Sequence, residues 1–168
     1  MSYLFLSCTK SNFLKQAGYS TTEIGFLWAI GVMAEIIMFA IAHIFFKRFS
    51  WRVMVSICLI LTALRWFMVG SFPQIFAIQF FAQTIHAFSF GLFHLIAMRI
   101  IFQNFSLGQQ GRGQALYSTM WGLGVASGSI LAGHYWHSLS GEHIFILAGC
   151  AVLLGLGLVR YLPKDVQA

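Results

Sequence analysis

Glu35, Arg65 and His86 stand inside long apolar runs of this 168-residue chain. Ionisable side chains are costly in such surroundings, so each one asks for a partner, a water-filled cavity or a function. Glu35 comes about 12 residues into a run from about Ile24 to Phe46, and Arg65 about six residues before the end of a run from about Val53 to Gly70. His86 lies within a run from about Gln74 to Phe102. At about 1.5 Å per helical residue, Glu35 is about 18 Å from the start of its run and Arg65 about 9 Å from the end of its own. His86 reaches about the depth of Glu35 by the same rise. A carboxyl and an imidazole at that depth can exchange protons, and a guanidinium beside them can attract an organic anion or neutralise the carboxylate. The same groups can also serve as a buried ion pair and a hydrogen-bonded histidine that only fix helix packing.

The run that holds His86 carries a wider pattern. Gln83, His86, Phe90 and His94 follow Gln79 at spacings of 4, 7, 11 and 15, which puts all five on one helical face. A polar stripe along an apolar helix faces a cavity or a neighbouring helix. The expected substrate and proton cavity is therefore lined by Glu35, Arg65, Gln83, His86 and His94, with His94 nearest the inner interface. Cys58, Thr62 and Arg65 repeat the pattern over a shorter length, and Arg99, near the end of its run, can snorkel to the interface.

Other chemistry finds no support. Cys8, Cys58 and Cys150 are far apart and lack metal-ligand spacing. His134, His137 and His143 are spaced for zinc, but neither a second carboxylate nor a cysteine accompanies them, so no metal and no cofactor is expected. No serine sits in a Gly-x-Ser-x-Gly elbow, and the ionisable groups are scattered in depth, which argues against an enzyme. Gly122, Gly124 and Gly128 lie within an apolar run rather than between a strand and a helix, which excludes a nucleotide loop. Gly124 and Gly128 have the small-xxx-small spacing of close helix packing.

The elements that must position these residues follow from composition. Hydrophobic residues make up 59% of the chain and charged ones 8%, with ten basic and four acidic residues. Mean hydropathy is +0.81. So few charges cannot coat a soluble surface, and the apolar exterior must meet lipid, where helices or closed barrels satisfy the backbone. The runs are long and show no sustained alternation, which selects helices over a barrel. Two further runs, from about Gln114 to Trp136 and from about Ile144 to Leu162, bring the expected crossings to five. The fold class is an all-α membrane protein. Residues 1–19 are expected to form a short helical remnant or interfacial segment without signal-peptide features, and residues 20–168 a transmembrane bundle. Ser20, Thr21, Thr22 and Glu23 read as the start of the first crossing.

Basic residues occur in ones and twos at the ends of runs, which is topology information and no nucleic-acid patch. Lys47, Arg48, Arg52, Arg112, Arg160 and Lys164 fall on one side, with Lys10 and Lys15 on the other. The first side, and with it the C-terminus, is expected to be cytoplasmic. Trp51, Tyr135, Trp136 and Tyr161 fall at run ends, as an aromatic belt requires.

Four stretches carry a resemblance. Gly18 to Phe39 (GYSTTEIGFLWAIGVMAEIIMF), Ala63 to Phe67 (ALRWF), His86 to His94 (HAFSFGLFH) and Gly111 to Tyr117 (GRGQALY) resemble the phenylpropionate-permease-like branch of the major facilitator superfamily. The similarity extends over about residues 13 to 162. The resemblance implies helices 8 to 12 of a twelve-helix carrier, with residues 1–17 as the end of helix 7, so that the chain is similar to a C-terminal half. It further implies a proton-coupled secondary carrier, a symporter, for a small organic or aromatic acid in a bacterial inner membrane. Its partners would be the lipid bilayer, the organic anion and protons, together with the missing N-terminal half or a second copy of the chain. The alternative is a non-transporting membrane remnant or interaction protein from a truncated or split gene.

Overall fold

In the computed structural model, residues 3–136 and 138–161 are described. His137, Leu162 and Lys164, used above for the zinc spacing, the end of the fifth run and the orientation, lie outside the described residues, as does the side chain of Cys8. The described chain is helical, with no strand. Its elements are α1 (Tyr3–Gln16), α2 (Thr21–Arg48), α3 (Trp51–Ser71), α4 (Phe76–His86), a π-helical segment (Ala87–Leu92), α5 (Phe93–Asn104), α6 (Gln110–Tyr135), α7 (Gly141–Leu156) and a 3-10 turn (Val159–Tyr161).

The boundaries have local causes. Gly18 adopts φ 98°, a left-handed conformation open to glycine, and closes α1 with Tyr19 N–H donating to Leu14 O and Gly18 N–H to Lys15 O. Ser20 then caps α2. Its Oγ accepts from Glu23 N at 3.2 Å, while the Glu23 carboxylate accepts from Ser20 N at 2.8 Å, a reciprocal capping box. Lys47 and Arg48 end α2, where cations complement the carbonyl-rich terminus. Ser50 caps α3 at once, so Phe49 and Ser50 alone join the two helices.

Among the described residues, four helices are long and apolar enough to cross a membrane: Thr21–Arg48, Trp51–Ser71, Phe76–Asn104 and Gly141–Tyr161. The third is the continuous rod α4–π–α5, 29 residues long, so the expected single helix carries a wide turn at its centre. The last includes the 3-10 turn beyond Gly157. Helix α6 covers the fourth expected run and is 26 residues long. It is less apolar than the other four, because glycine and serine take the place of large aliphatic residues.

Helix α3 is central, packing on α4, the π segment, α5 and, most extensively, α7. The α3–α7 seam is closed by reciprocal glycines. A Cβ at Gly70 would stand 2.9 Å from Glu142 O, and one at Gly149 2.7 Å from the Phe67 ring. Gly113 presses in the same way on Ile101 and Phe105 at the α5–α6 turn. Gly122 on α6 is exposed and a Cβ there would meet nothing within 4 Å. Among the glycines described, the closest approaches fall at Gly70, Gly113, Gly141 and Gly149, none of which has a small residue four positions away to give a spacing signal.

The largest buried cluster joins Met38, Met54, Val55, Leu92 and Ile96, and a second joins Phe13, Trp66, Val69, Ala82 and Phe145. Large aliphatic and aromatic side chains cover the outside, among them Ile36, Ile37, Phe81, Ile130 and Leu154. This inversion of the soluble pattern suits a surface that meets lipid.

Candidate functional site: a buried polar chain and its cavity

Three helices deliver the three ionisable residues to one place. Glu35 comes from the middle of α2, Arg65 from α3, and His86 from the last position of α4, where the π segment begins. Glu35 Oε1 lies 2.7 Å from His86 Nε2, and the other imidazole nitrogen, Nδ1, meets a terminal guanidinium nitrogen of Arg65. Arg65 and His86 are buried and Glu35 is partly buried. Gly31, one turn before Glu35, is buried against this group, and a Cβ there would make ordinary contact with the His86 ring at 3.5 Å.

The partners fix the hydrogens. A guanidinium only donates, so Nδ1 accepts, which leaves the proton of a neutral imidazole on Nε2, donated to the Glu35 carboxylate. The consistent state of the chain is therefore an anionic Glu35, a neutral His86 and a cationic Arg65. A second proton on His86 would fall on Nδ1, facing N–H groups of Arg65, and the two would have to part.

Gln83 and His94 flank this chain without joining it. Gln83, one turn before His86, donates to Leu27 O at 3.1 Å and accepts from Lys10 Nζ at 2.8 Å. Gln79, a turn further back, donates to Phe72 O at 3.1 Å. On the far side, Phe90 stacks between His86 and His94, with ring centroids 6.2 and 5.9 Å away. His94 Nδ1 reaches Tyr117 OH at 3.2 Å, tying α5 to α6. The face read from the sequence therefore splits into an amide end near α1 and an aromatic end near α6.

Arg65 also faces a cavity of about 750 Å³ between α3, α5, α6 and α7. Its wall includes Thr62, Trp66, Ser89, Tyr117 and Trp121 and is mostly apolar. The guanidinium stacks on Trp66 with its central carbon 4.1 Å from the ring centroid, and its Nε has no hydrogen-bond partner among the described residues. Glu35, Gln83, His86 and His94 do not line this cavity, whereas Gly124 and Gly128 of α6 do. Arg65 is thus the residue that belongs both to the polar chain and to the cavity wall.

Sequence reasoning missed Lys10. The count of basic residues uses it only as a charge on the side opposite the cytoplasm, yet it is 3% exposed, with Nζ on Gln83 and 5.9 Å from the Trp28 ring. The available signal was the spacing of Lys10 with Phe13 and Leu14, which are buried on the same face of α1. The polar neighbours Thr9, Ser11 and Asn12 hide it.

Long apolar helices holding a buried ionisable chain define an integral membrane protein of the helical class. The family model described as "MFS_1 like family" matches residues 2–147, and the chain belongs to that family of major-facilitator membrane transport proteins. A relative, the "Probable 3-phenylpropionic acid transporter" of Escherichia coli (strain K12), is 33% identical over 160 residues. The match takes in 90% of this chain and 39% of the relative, so the chain spans well under half of the relative's length. No solved structure matches the chain.

Proposed function

We propose that this chain acts in proton-coupled movement of a small organic acid, an aromatic monocarboxylate first among them, across a bacterial inner membrane. The observation that carries the reading is the position of Arg65, held by His86 on one side and open to a largely apolar cavity on the other. A proton arriving at the Glu35–His86 pair and settling on Nδ1 breaks the His86–Arg65 hydrogen bond. The freed guanidinium then needs another acceptor, and the carboxylate of an acid in the cavity supplies one. Loss of the proton to the other side restores His86 as the acceptor and releases the anion. No covalent step is involved, so the reading is of a carrier and no enzyme. The name of the relative favours 3-phenylpropionate as the first compound to try.

On this reading α6 is a fifth crossing, the five long helices correspond to helices 8 to 12 of a twelve-helix carrier, and α1 is the end of helix 7. The basic turns, with Lys47, Arg48 and Arg52 in one and Arg112 in the other, then lie in the cytoplasm. A second reading, a membrane protein that carries nothing and serves as an interaction partner, is kept alive by the 39% span of the match.

The test is uptake of labelled 3-phenylpropionate into vesicles holding the purified chain, with and without an inward proton gradient. Stimulation by the gradient is expected, and its loss in Glu35→Gln with binding retained. No uptake from protein shown to be folded and inserted would overturn transport by this chain and select the second reading. Unchanged gradient-driven uptake in Glu35→Gln would remove Glu35 from the mechanism.

A further inference from the structure

Arg99 of α5 is held on two aromatic rings that come from two other helices. Its guanidinium carbon lies 4.8 Å from the centre of the Phe46 ring on α2 and 5.8 Å from that of Trp51 on α3. Trp51 is buried in the largest core cluster and Phe46 packs against that cluster, so the rings are fixed and the guanidinium is fixed with them. A guanidinium stays charged at any pH a folded protein meets, and rings satisfy its faces but not the N–H groups along its edge. Arg99 is partly exposed, and those N–H groups have no hydrogen-bond partner among the described residues. A fork of N–H donors held in one plane matches the oxygens of a phosphate. The depth is that of lipid headgroups. Helix α2 ends at Arg48, α3 starts at Trp51, and Arg99 lies about 7.5 Å before the end of α5 at 1.5 Å per residue. A tryptophan and a snorkelling arginine at one level mark the boundary between hydrocarbon and headgroups. Phe49, Val53 and Phe102, each within one turn of Phe46, Trp51 or Arg99, are exposed and offer apolar surface to acyl chains. Lys47 and Arg48 add two exposed cations in the last turn of α2.

We propose that Arg99, on its shelf of Phe46 and Trp51, seats the phosphate of an anionic phospholipid where α2, α3 and α5 meet, with Lys47 and Arg48 favouring a headgroup of net negative charge. A free phosphate could use the same N–H fork, but the exposed apolar residues beside it select the lipid, whose acyl chains they cover. The bound lipid joins α5 to the α2–α3 turn and steadies the three helix ends together. This site lies at the end of the bundle, apart from the Glu35–His86–Arg65 chain. It holds whichever way the molecule faces in the membrane, and whether or not the chain carries an acid.

The experiment is a thermal-shift titration of the purified 168-residue chain in detergent with dioleoyl phosphatidylglycerol, with dioleoyl phosphatidylcholine and with glycerol 3-phosphate. Phosphatidylglycerol is expected to raise the melting temperature at concentrations about tenfold below those phosphatidylcholine needs, and glycerol 3-phosphate to have no effect there. Arg99→Met, which keeps an unbranched stem on the rings, should weaken phosphatidylglycerol about tenfold, and Arg99→Lys, which keeps the charge and loses the fork, about threefold. Arg99→Lys carries the comparison where Arg99→Met does not fold. Lys47→Gln combined with Arg48→Gln, at exposed positions, should bring phosphatidylglycerol within about twofold of phosphatidylcholine. No response to either lipid overturns the site. An equal response to both lipids, or a preference unchanged in the Lys47 and Arg48 variant, overturns selection by those two cations. Binding of phosphatidylglycerol unchanged in the Arg99 variants overturns Arg99 as the seat. A response to glycerol 3-phosphate as strong as to phosphatidylglycerol overturns the lipid and leaves a site for a free phosphate.

Discussion

His86 is the residue on which the buried chain turns, because it touches both of the opposite charges. Replacing it by alanine leaves the Glu35 carboxylate and the Arg65 guanidinium without the group that satisfies them. Such a loss inside a protein costs about 3 kcal/mol, so the variant should melt well below the unsubstituted chain. His86→Gln can still accept from one neighbour and donate to the other, and should recover a large part of that loss. Equal melting of His86→Ala and the unsubstituted protein would mean that the three residues do not hold the helices together. Glu35, Arg65 and His86 were all legible in the sequence, since an ionisable residue deep in an apolar run announces itself. Lys10 was not, because its segment is polar and its burial comes from what packs around α1. That Arg65 divides its contacts between His86 and the cavity also lay beyond the reach of spacing, which gives a face and a depth but no direction across the bundle.

At the scale of helices, the seam between α3 and α7 is the most extensive described in the fold. The Gly70 position faces backbone, which cannot swing away, so Gly70→Ala should cost about 1 to 3 kcal/mol by overpacking. Gly149→Ala meets the Phe67 ring, a side chain and not backbone, and should cost less. Gly122→Ala on α6 meets open space and should leave the melting temperature unchanged or raised, since alanine is the better helix former. Melting curves of the three variants check the order. If Gly122→Ala proved the most damaging, α6 would have to pack in the membrane against something absent from this fold. The starts and ends of α2 and α3 were readable because Ser20, Glu23, Ser50 and the Lys47–Arg48 pair act locally. The π segment was not readable, because nothing in Ala87 to Leu92 differs in type from an ordinary apolar turn. Within it, Gly91 faces Phe39 and Met38 of α2.

For the molecule as a whole, the pairing of helices places the Phe49–Ser50 turn and the connection between α5 and α6 at one end, and Phe72 to Ile75 at the other. On the reading proposed above, the distribution of lysine and arginine puts the first end in the cytoplasm. A single cysteine at Ser106 should therefore react with an impermeant maleimide only after cells are opened, and one at Gln74 in intact cells, in a background where the native cysteines are replaced. The reverse pattern would invert the molecule in the membrane and with it the direction of the proposed proton flow. The wide turn between His86 and Phe93 bears on how such a chain tolerates change in length. A π turn holds one residue more than an α turn over the same rise, so removing any one residue of Ala87–Leu92 lets the rod close into plain α-helix without breaking it. The half of the rod beyond it would keep its direction relative to the half before, because the π turn already absorbs the extra residue. His86 would stay on Glu35 and His94 on Tyr117, so a single codon could be lost at this point without uncoupling the two ends of the polar face.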